Sequence, residues 1–265
     1  MTTVCVAGAT GWTGRPIAEA VLATDDLELG GAVSRSAAGH DLGEAWATAP
    51  VGVTVVADVA EALDGVEVLV DYTTPSAAKP NALTAIAAGV HVVIGTSGLS
   101  AADFAEIDDA ARERGVGVVA AGNFSLTAAM AQAAALLVAR FLPQREIIDY
   151  ASAGKPDSPS GTARELAERL ADVSTHPLVV PVADTAGHPE ARGADIAGTQ
   201  VHSLRLPSFV VSTEIVFAQS DERLTIRHDA GGTPTPYVAG TLVGIRAVPT
   251  LVGLVRGLDA LLLRD

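Results

Sequence analysis

The sequence predicts an α/β fold in two unlike parts, and three observations carry that prediction. Short β-branched runs alternate with Ala-rich stretches up to about residue 120, a glycine-rich turn follows the first of those runs, and beyond residue 140 strand candidates follow one another with little helix between them. Alternating strand and helix implies βαβ units around a parallel sheet, whereas successive strands joined by short polar turns imply a mainly antiparallel one.

In chain order, the first strands are TVCVA, LELGGAV, VTVVA, EVLVDY, VHVVIG and VGVVAA, separated by helical stretches. SLTAAMAQAAALLVARFL then reads as a long, well buried helix. QREIIDYAS, PLVVPV, TQVHSLRLPS, FVVSTEIVFAQ and ERLTIRHDA are the strands expected of the second sheet, which carries an amphipathic helix beginning near Ser160. TPYVAGTLVGIRAV returns to helical periodicity, so it and the tail are expected back on the first part. The expected domains are 1–127 with 235–265, and 128–234. TAGHPEARGADIAG is the one stretch expected to be flexible, and no internal repeat is found.

Composition narrows the function. Without an apolar run of about 18 residues no membrane span is expected, and with no basic region ahead of an apolar stretch no secretory signal is expected, so the chain reads as cytoplasmic. A net charge of −14 opposes a polyanionic partner, which argues against nucleic acid. Cys5 is the only cysteine, sits in an apolar strand pattern and reads as a small buried hydrophobe. His40, His91, His176, His188, His202 and His228 form no HxxxH or CxxC arrangement, so no metal site is expected and each reads as a surface or satisfied core histidine.

In VCVAGATGWTGRPIAEAVL, Gly8, Gly11 and Gly14 stand between a strand and a helix. That is the context of a dinucleotide fingerprint, where glycines permit a tight turn and bring backbone N–H groups close to a pyrophosphate at a helix start. The first part is therefore expected to be a Rossmann-type dinucleotide-binding domain. Twenty residues past Gly14, where an acidic side chain would hold the ribose 2′-hydroxyl, the chain has Ser34-Arg35-Ser36, which suits a 2′-phosphate and favours NADPH, with NADH as the alternative. Three polar segments end parallel strands: DYTTPS, which includes Thr73, then GTSG and AGNFS. Ligands bind beyond such strand ends. No GK[ST] sequence is present, which removes a P-loop nucleoside triphosphatase.

The second part contributes KPDSPSGTARELA. Thr162 followed by Glu165 matches a capping box, the purely structural account of this helix start. The chain has only two lysines, however, Lys79 and Lys155, and Lys155 lies just ahead of a helix whose free N–H groups favour an anion. Backbone N–H groups, the Thr162 hydroxyl and the lysine charge together would hold a substrate carboxylate.

VAGATGWTGR, DYTTP, GTSG, AGNFS, EIID, KPDSPSGTA and ERLTIRHD resemble, in order and across nearly the whole chain, the dihydrodipicolinate reductases. The resemblance implies a Rossmann-type domain, a mixed α/β substrate domain that builds a homotetramer, and hydride transfer from NADPH or NADH to a cyclic unsaturated imino dicarboxylate. By position, Gly8, Gly11, Trp12, Thr13, Gly14, Ser34, Arg35 and Thr73 would bind the cofactor. Gly95, Thr96 and Ser97, with Ala121, Gly122, Asn123 and Phe124, would surround the nicotinamide. Lys155, Gly161 and Thr162 would bind substrate, with Ser152 and Ser160 beside them, and Lys155 is also the candidate proton donor.

Two departures stand out. The family's histidine pair falls at Ala151 and Ser152, and its substrate arginine falls at Thr233. The expected function is thus a reductase of this architecture acting on a small C=N or conjugated C=C substrate. The alternatives are a genuine reductase of lysine biosynthesis and a non-catalytic NADPH-binding sensor. Short-chain reductases are disfavoured: Tyr150 and Lys155 are five apart and straddle Gly154, so they cannot share a helix face as a YxxxK pair does.

Overall fold

The computed structural model describes residues 1–175, 177–209 and 211–264, so His176, Val210 of one expected strand, and Asp265 lie outside the described residues. The chain forms two compact units, one built from Met1–Leu126 and the segment from Pro234 onward, the other from Thr127–Thr233.

The elements of the first unit begin with β1 (Thr2–Ala7), α1 (Gly14–Leu22), β2 (Leu27–Val33), α2 (Leu42–Ala45) and β3 (Val55–Val56). They continue with β4 (Val68–Asp71), α3 (Pro75–Ala87), β5 (His91–Ile94), α4 (Ala101–Arg114) and β6 (Gly117–Ala120). The second unit holds α5 (Leu126–Ala139) from its second residue on, then β7 (Arg145–Ala151), α6 (Gly161–Val173), β8 (Ala194–Ile196), β9 (Thr199–Arg205), β10 (Val211–Gln219) and β11 (Glu222–Asp229). The first unit resumes with α7 (Thr235–Ala247), β12 (Gly253–Arg256) and α8 (Leu258–Leu262).

The first sheet has seven parallel strands in the order β12-β6-β5-β4-β1-β2-β3. Val4 to Ala7 and Val68 to Asp71 are fully buried, because helices cover both faces of a parallel sheet and leave no polar side to alternate with. From β1 the chain winds one way to β2 and β3, then returns to wind the other way through β4, β5 and β6. The crevice at the β1/β4 reversal is where such sheets receive ligands. TPYVAGTLVGIRAV forms the helix expected of it, α7, and the tail after it adds a strand that the sequence did not single out. Gly253–Arg256 pairs in parallel with β6 and becomes the sheet's edge.

The second sheet runs β11-β10-β7-β9-β8, antiparallel except for the β7/β9 pair. Along β7, Arg145, Ile147, Asp149 and Ala151 are buried while Glu146, Ile148 and Tyr150 are only half-buried, the period of two expected of a strand with one covered face. Ile147, Ile215 and Phe217 pack there with Ala135 and Ala139 of α5 and with Ala163, Leu166 and Leu170 of α6.

Four local expectations need correction. PLVVPV forms no strand: Pro177 and Pro181 bracket it, each without an N–H for a ladder, and Val179 is 89% exposed. TAGHPEARGADIAG is not featureless, since it contains a 3₁₀ turn at Pro189–Arg192 and the strand β8. The apolar helix α5 is buried along one face only, through Ala128, Ala129, Gln132, Ala135 and Ala139, and it leaves Met130 and Leu137 exposed. The helix after KPDSPS is capped by Ser160, not Thr162: the Ser160 hydroxyl accepts from the Ala163 N–H at 3.3 Å, so the first turn starts two residues earlier and Glu165 lies past the capping-box position. Among the described residues no helix is long and apolar enough to cross a membrane.

Candidate functional site

In the first unit the glycine turn is as tight as its residues demand. Gly8 has φ +82°, and a Cβ there would run into the Tyr72 carbonyl; a Cβ on Gly14 would run into the Gly8 carbonyl. Side chains at either position would open the turn. The Gly11 N–H donates to the Gly8 carbonyl at 2.8 Å, and Trp46 pins the same turn by donating its indole N–H to the Ala9 carbonyl at 3.1 Å. Thr13 occupies the N-cap of α1 without a side-chain bond to the first turn, where the Arg15 N–H donates to the Gly11 carbonyl at 3.1 Å and Pro16 has no N–H. Trp12 is largely exposed and meets Tyr237 edge-on at 6.2 Å.

A cleft of about 560 Å³ opens beside this turn, a volume suited to a small-molecule ligand. Of the sequence-predicted residues, Gly8, Gly11, Ser34, Arg35 and Thr73 line it together, whereas Trp12, Thr13, Gly14 and the two segments at 95–97 and 121–124 do not. Thr10 and Ser34 share a hydroxyl hydrogen bond of 2.6 Å, and Ser34 reaches Ser36 at 3.3 Å, so the strand end presents a row of hydroxyls next to the exposed Arg35. Asp58, which sequence reasoning missed, lines the same cleft, with its carboxylate turned to accept the Ala60 N–H at 2.9 Å.

The ends of β4 and β5 are tied by another residue the sequence did not single out. Asp71 is fully buried, and its Oδ1 accepts from the Thr73 N–H (3.0 Å), the Thr73 hydroxyl (2.7 Å) and the Thr96 hydroxyl (2.6 Å). Its Oδ2 accepts from the Asn81 amide at 2.8 Å. Gly95 is glycine because the Tyr72 ring occupies the place of a Cβ, and the Tyr72 hydroxyl is held by Thr241 at 2.7 Å. Ser97 is half-buried on the loop that follows. At the end of β6, Ala121 and Asn123 are buried, Gly122 is half-buried, and the Asn123 side chain accepts the Ser125 N–H at 2.8 Å. The Phe124 ring is 1% exposed and packs edge-on to Tyr72, so this residue has only backbone to offer a ligand.

In the second unit, the loop from Ser152 to Ser160 is anchored from beneath. Asp149, fully buried on β7, pairs with Arg205 of β9 at 2.8 Å and accepts from the Ser160 N–H (2.8 Å), the Ser160 hydroxyl (2.6 Å) and the Ser203 hydroxyl (3.2 Å). The same Arg205 guanidinium donates to the Asp157 carbonyl at 2.8 Å. Loop and helix start are thus held by one buried ion pair. The Ser160 hydroxyl is committed to Asp149 and to its cap, while the buried Gly161 and Thr162 open the first turn of α6. Lys155 closes a turn through its N–H to the exposed Ser152 (3.0 Å), and its ammonium pairs with Asp157 at 2.8 Å. Tyr150 points to the opposite sheet face from Asp149 and Ala151, where its hydroxyl donates to Glu214 at 3.2 Å; burial and the Glu214 charge raise its pKa.

Thr162 also lines a small void of about 10 Å³ with Gln132, Thr213 and His228. Gln132 is 5% exposed and its Nε2 has no hydrogen-bond partner among the described residues. His228 bonds the Thr127 hydroxyl at 3.0 Å, and burial lowers its pKa. Lys79, the second lysine, is taken up by Asp103 and Glu106.

Comparison with known proteins matches the family model "Dihydrodipicolinate reductase, N-terminus" over residues 2–124 and "Dihydrodipicolinate reductase, C-terminus" over residues 122–262. A 4-hydroxy-tetrahydrodipicolinate reductase of Moorella thermoacetica is 40% identical over 263 residues, covering 98% of this chain and 97% of its own length. That of Desulfitobacterium hafniense (strain DSM 10664 / DCB-2) is 37% identical and covers 97% of each chain. Among solved structures, the dipicolinate-bound dihydrodipicolinate reductase from Paenisporosarcina sp. TG-14 superposes with a TM-score of 0.77 at 28% identity, covering 98% of both chains.

Proposed function

The chain belongs to the dihydrodipicolinate reductase family, and from that premise we propose that it is an NADPH-dependent reductase, with NADH as the alternative donor, acting on the C=N or conjugated C=C bond of a small cyclic imine or imino acid. The cofactor, when bound, supplies the hydride. The first unit fits it: Gly8 and Gly14 leave no room for a Cβ, Gly8 and Gly11 line the cleft where a pyrophosphate would lie, and the hydroxyls of Thr10, Ser34 and Ser36 stand with Arg35 where a 2′-phosphate would be held.

The observation that carries the substrate assignment is the chemistry around the α6 start. Lys155 stands at the turn before it as the proton donor, and the N–H groups of Gly161 and Thr162 with the Thr162 hydroxyl bind one carboxylate. The family's histidine positions are the buried Ala151 and the exposed Ser152, its arginine position is Thr233, and the void beside Thr162 is lined by the amide of Gln132 and by His228, whose pKa burial lowers. These are neutral groups. A second substrate carboxylate would be buried without a cation, which typically costs several kcal/mol. The preferred substrate therefore carries one carboxylate or none.

The test is kcat/KM for dihydrodipicolinate beside a panel of cyclic imines bearing one carboxylate, measured for the wild type and for an Ala151→His/Ser152→His/Thr233→Arg variant. The panel should be preferred by the wild type and the dicarboxylate by the variant. A second reading, a genuine 4-hydroxy-tetrahydrodipicolinate reductase of lysine biosynthesis, is favoured by relatives 37% and 40% identical over nearly the full chain. Wild-type turnover of dihydrodipicolinate at about 10⁴ M⁻¹s⁻¹ or above would establish it instead. Tight NADPH binding with no turnover of any imine would mark a non-catalytic sensor.

On the same premise the protein works in the cytoplasm as a homotetramer, with Met1–Leu126 and the C-terminal segment binding cofactor and Thr127–Thr233 binding substrate and forming the oligomer. Support for assembly comes from Met130, Leu137 and Phe141, exposed at helical spacing on and just after α5, and from the half-covered outer face of the second sheet.

A further inference from the structure

The cleft beside the glycine turn has walls that no phosphate accounts for. The glycines serve a pyrophosphate and Ser34 with Arg35 a 2′-phosphate, which leaves Ala57 and Asp58 after β3 and Ala77 and Asn81 of α3. Their place in the sheet says what they meet. Val33 stands opposite Val56 in the β2/β3 ladder, so Arg35 and Asp58 each emerge two residues past the paired ends of neighbouring strands. On a ribose whose 2′-phosphate is held at Arg35, the base is attached to the adjacent carbon. The segments at 95–97 and 121–124 do not line this cleft, so it receives the adenosine half of a dinucleotide.

Asp58 is the unexpected residue there, because a carboxylate beside two phosphate sites repels both. Its Oδ1 accepts the Ala60 N–H at 2.9 Å and so caps the 3₁₀ turn Val59–Ala62. Capping uses one oxygen, and the second keeps its lone pairs. Asn81 is oriented by its own partner: its NH₂ donates at 2.8 Å to the buried Asp71, which leaves the amide carbonyl as an acceptor. Two acceptors on one cleft call for a donor.

We infer that Asp58 is a specificity-determining residue of the cofactor site, reading the base as adenine by accepting from its exocyclic amine, with the Asn81 carbonyl as a second acceptor. This rests on the reductase reading given above and deepens it. Adenine carries an amino donor where hypoxanthine and guanine carry an oxygen acceptor, so the same carboxylate attracts the first and repels the others. The small side chains of Ala57 and Ala77 leave room in the cleft for a flat ring.

The experiment needs no substrate. Dissociation constants are measured for NADPH and for reduced nicotinamide hypoxanthine dinucleotide phosphate, in which an oxygen replaces that amine. The wild type should bind NADPH at least about fivefold more tightly, the lower end of the scale of a hydrogen bond to a charged group, because Asp58 is exposed. Asp58→Asn keeps an oxygen for the Ala60 N–H and so turns its NH₂ to the ligand. It should weaken NADPH, strengthen the analogue and bring their ratio to about one or below. Asp58→Ser, which keeps a capping oxygen and removes the charge, should shrink the preference in the same direction. A contact of Asp58 with a ribose hydroxyl, or a capping role alone, would change both ligands alike; a ratio unmoved in the variants would therefore overturn the inference. A wild-type preference below about twofold would also overturn it, while leaving the reductase assignment in place. A wild type that binds neither dinucleotide would overturn both.

Discussion

Arg205→Ala is the sharpest perturbation of the second unit. It deletes the cation that, among the described residues, pairs with Asp149, whose side chain has no solvent exposure, and it frees the Asp157 carbonyl that the same guanidinium holds at 2.8 Å. Removing one partner of a buried ion pair typically costs about 3–5 kcal/mol. Here the two Ser160 bonds and the Ser203 hydroxyl still solvate the carboxylate, which places the expected loss near the lower end, about 3 kcal/mol. Asp149→Asn/Arg205→Met removes both charges at similar volume and should recover much of that loss, for a coupling energy of about 2 kcal/mol in the double-mutant cycle. The probe matters, because both tryptophans, Trp12 and Trp46, lie in the first unit and their fluorescence is silent on the second. Native-state hydrogen exchange at β7 and α6 reads the right region. A loss below about 1 kcal/mol, or an additive cycle, would refute the claim that this pair anchors the loop to the helix start.

Three further outcomes are expected. Lys155→Met should lower kcat/KM at least about a hundredfold with cofactor affinity unchanged; retained activity would reduce Lys155 to the partner of Asp157. Arg35→Ala should weaken NADPH by about 1.5–3 kcal/mol and leave NADH nearly untouched, so an unaltered preference between the two would remove Arg35 from the site. Burial pushes the Cys5 thiol up to about 12 from an ordinary 9.0, and burial also raises the Tyr72 phenol. Both groups therefore hold their protons in the folded state where the unfolded chain releases them. Stability should fall as the pH rises from about 9 toward 12, and Cys5 should react with thiol reagents only on unfolding. Rapid labelling of the folded protein at pH 8 would contradict that burial.

The parts of the site that were legible in the sequence are those whose cause is local. Gly8 and Gly14 stand out because the clash a side chain would meet there lies within a single turn or against an adjacent strand end, and Lys155 stands out by scarcity. Asp71, Asp149 and Trp46 do not stand out, since their partners Thr96, Arg205 and Ala9 are 25, 56 and 37 residues away and nothing in the intervening sequence links them. The same reasoning separates hits from misses in the fold. The valine-rich parallel strands carry their burial in their composition, whereas β12 is four residues long and becomes a strand only because β6 offers it an open edge. PLVVPV shows the reverse failure, an apolar run with strand composition whose prolines deny it a ladder.

That last strand bears on how the molecule is made. β6 is finished by residue 120, yet the strand that covers its outer side lies at 253–256, after the whole of the second unit. During synthesis the first sheet waits with an unpaired edge until residues 253–256 have emerged, which exposes it to pairing with other chains. The second unit, continuous in sequence and built around its own core, can close in the meantime. Removing the segment from Gly253 onward would return the finished protein to that open-edged condition. Its main consequence would be aggregation in proportion to concentration.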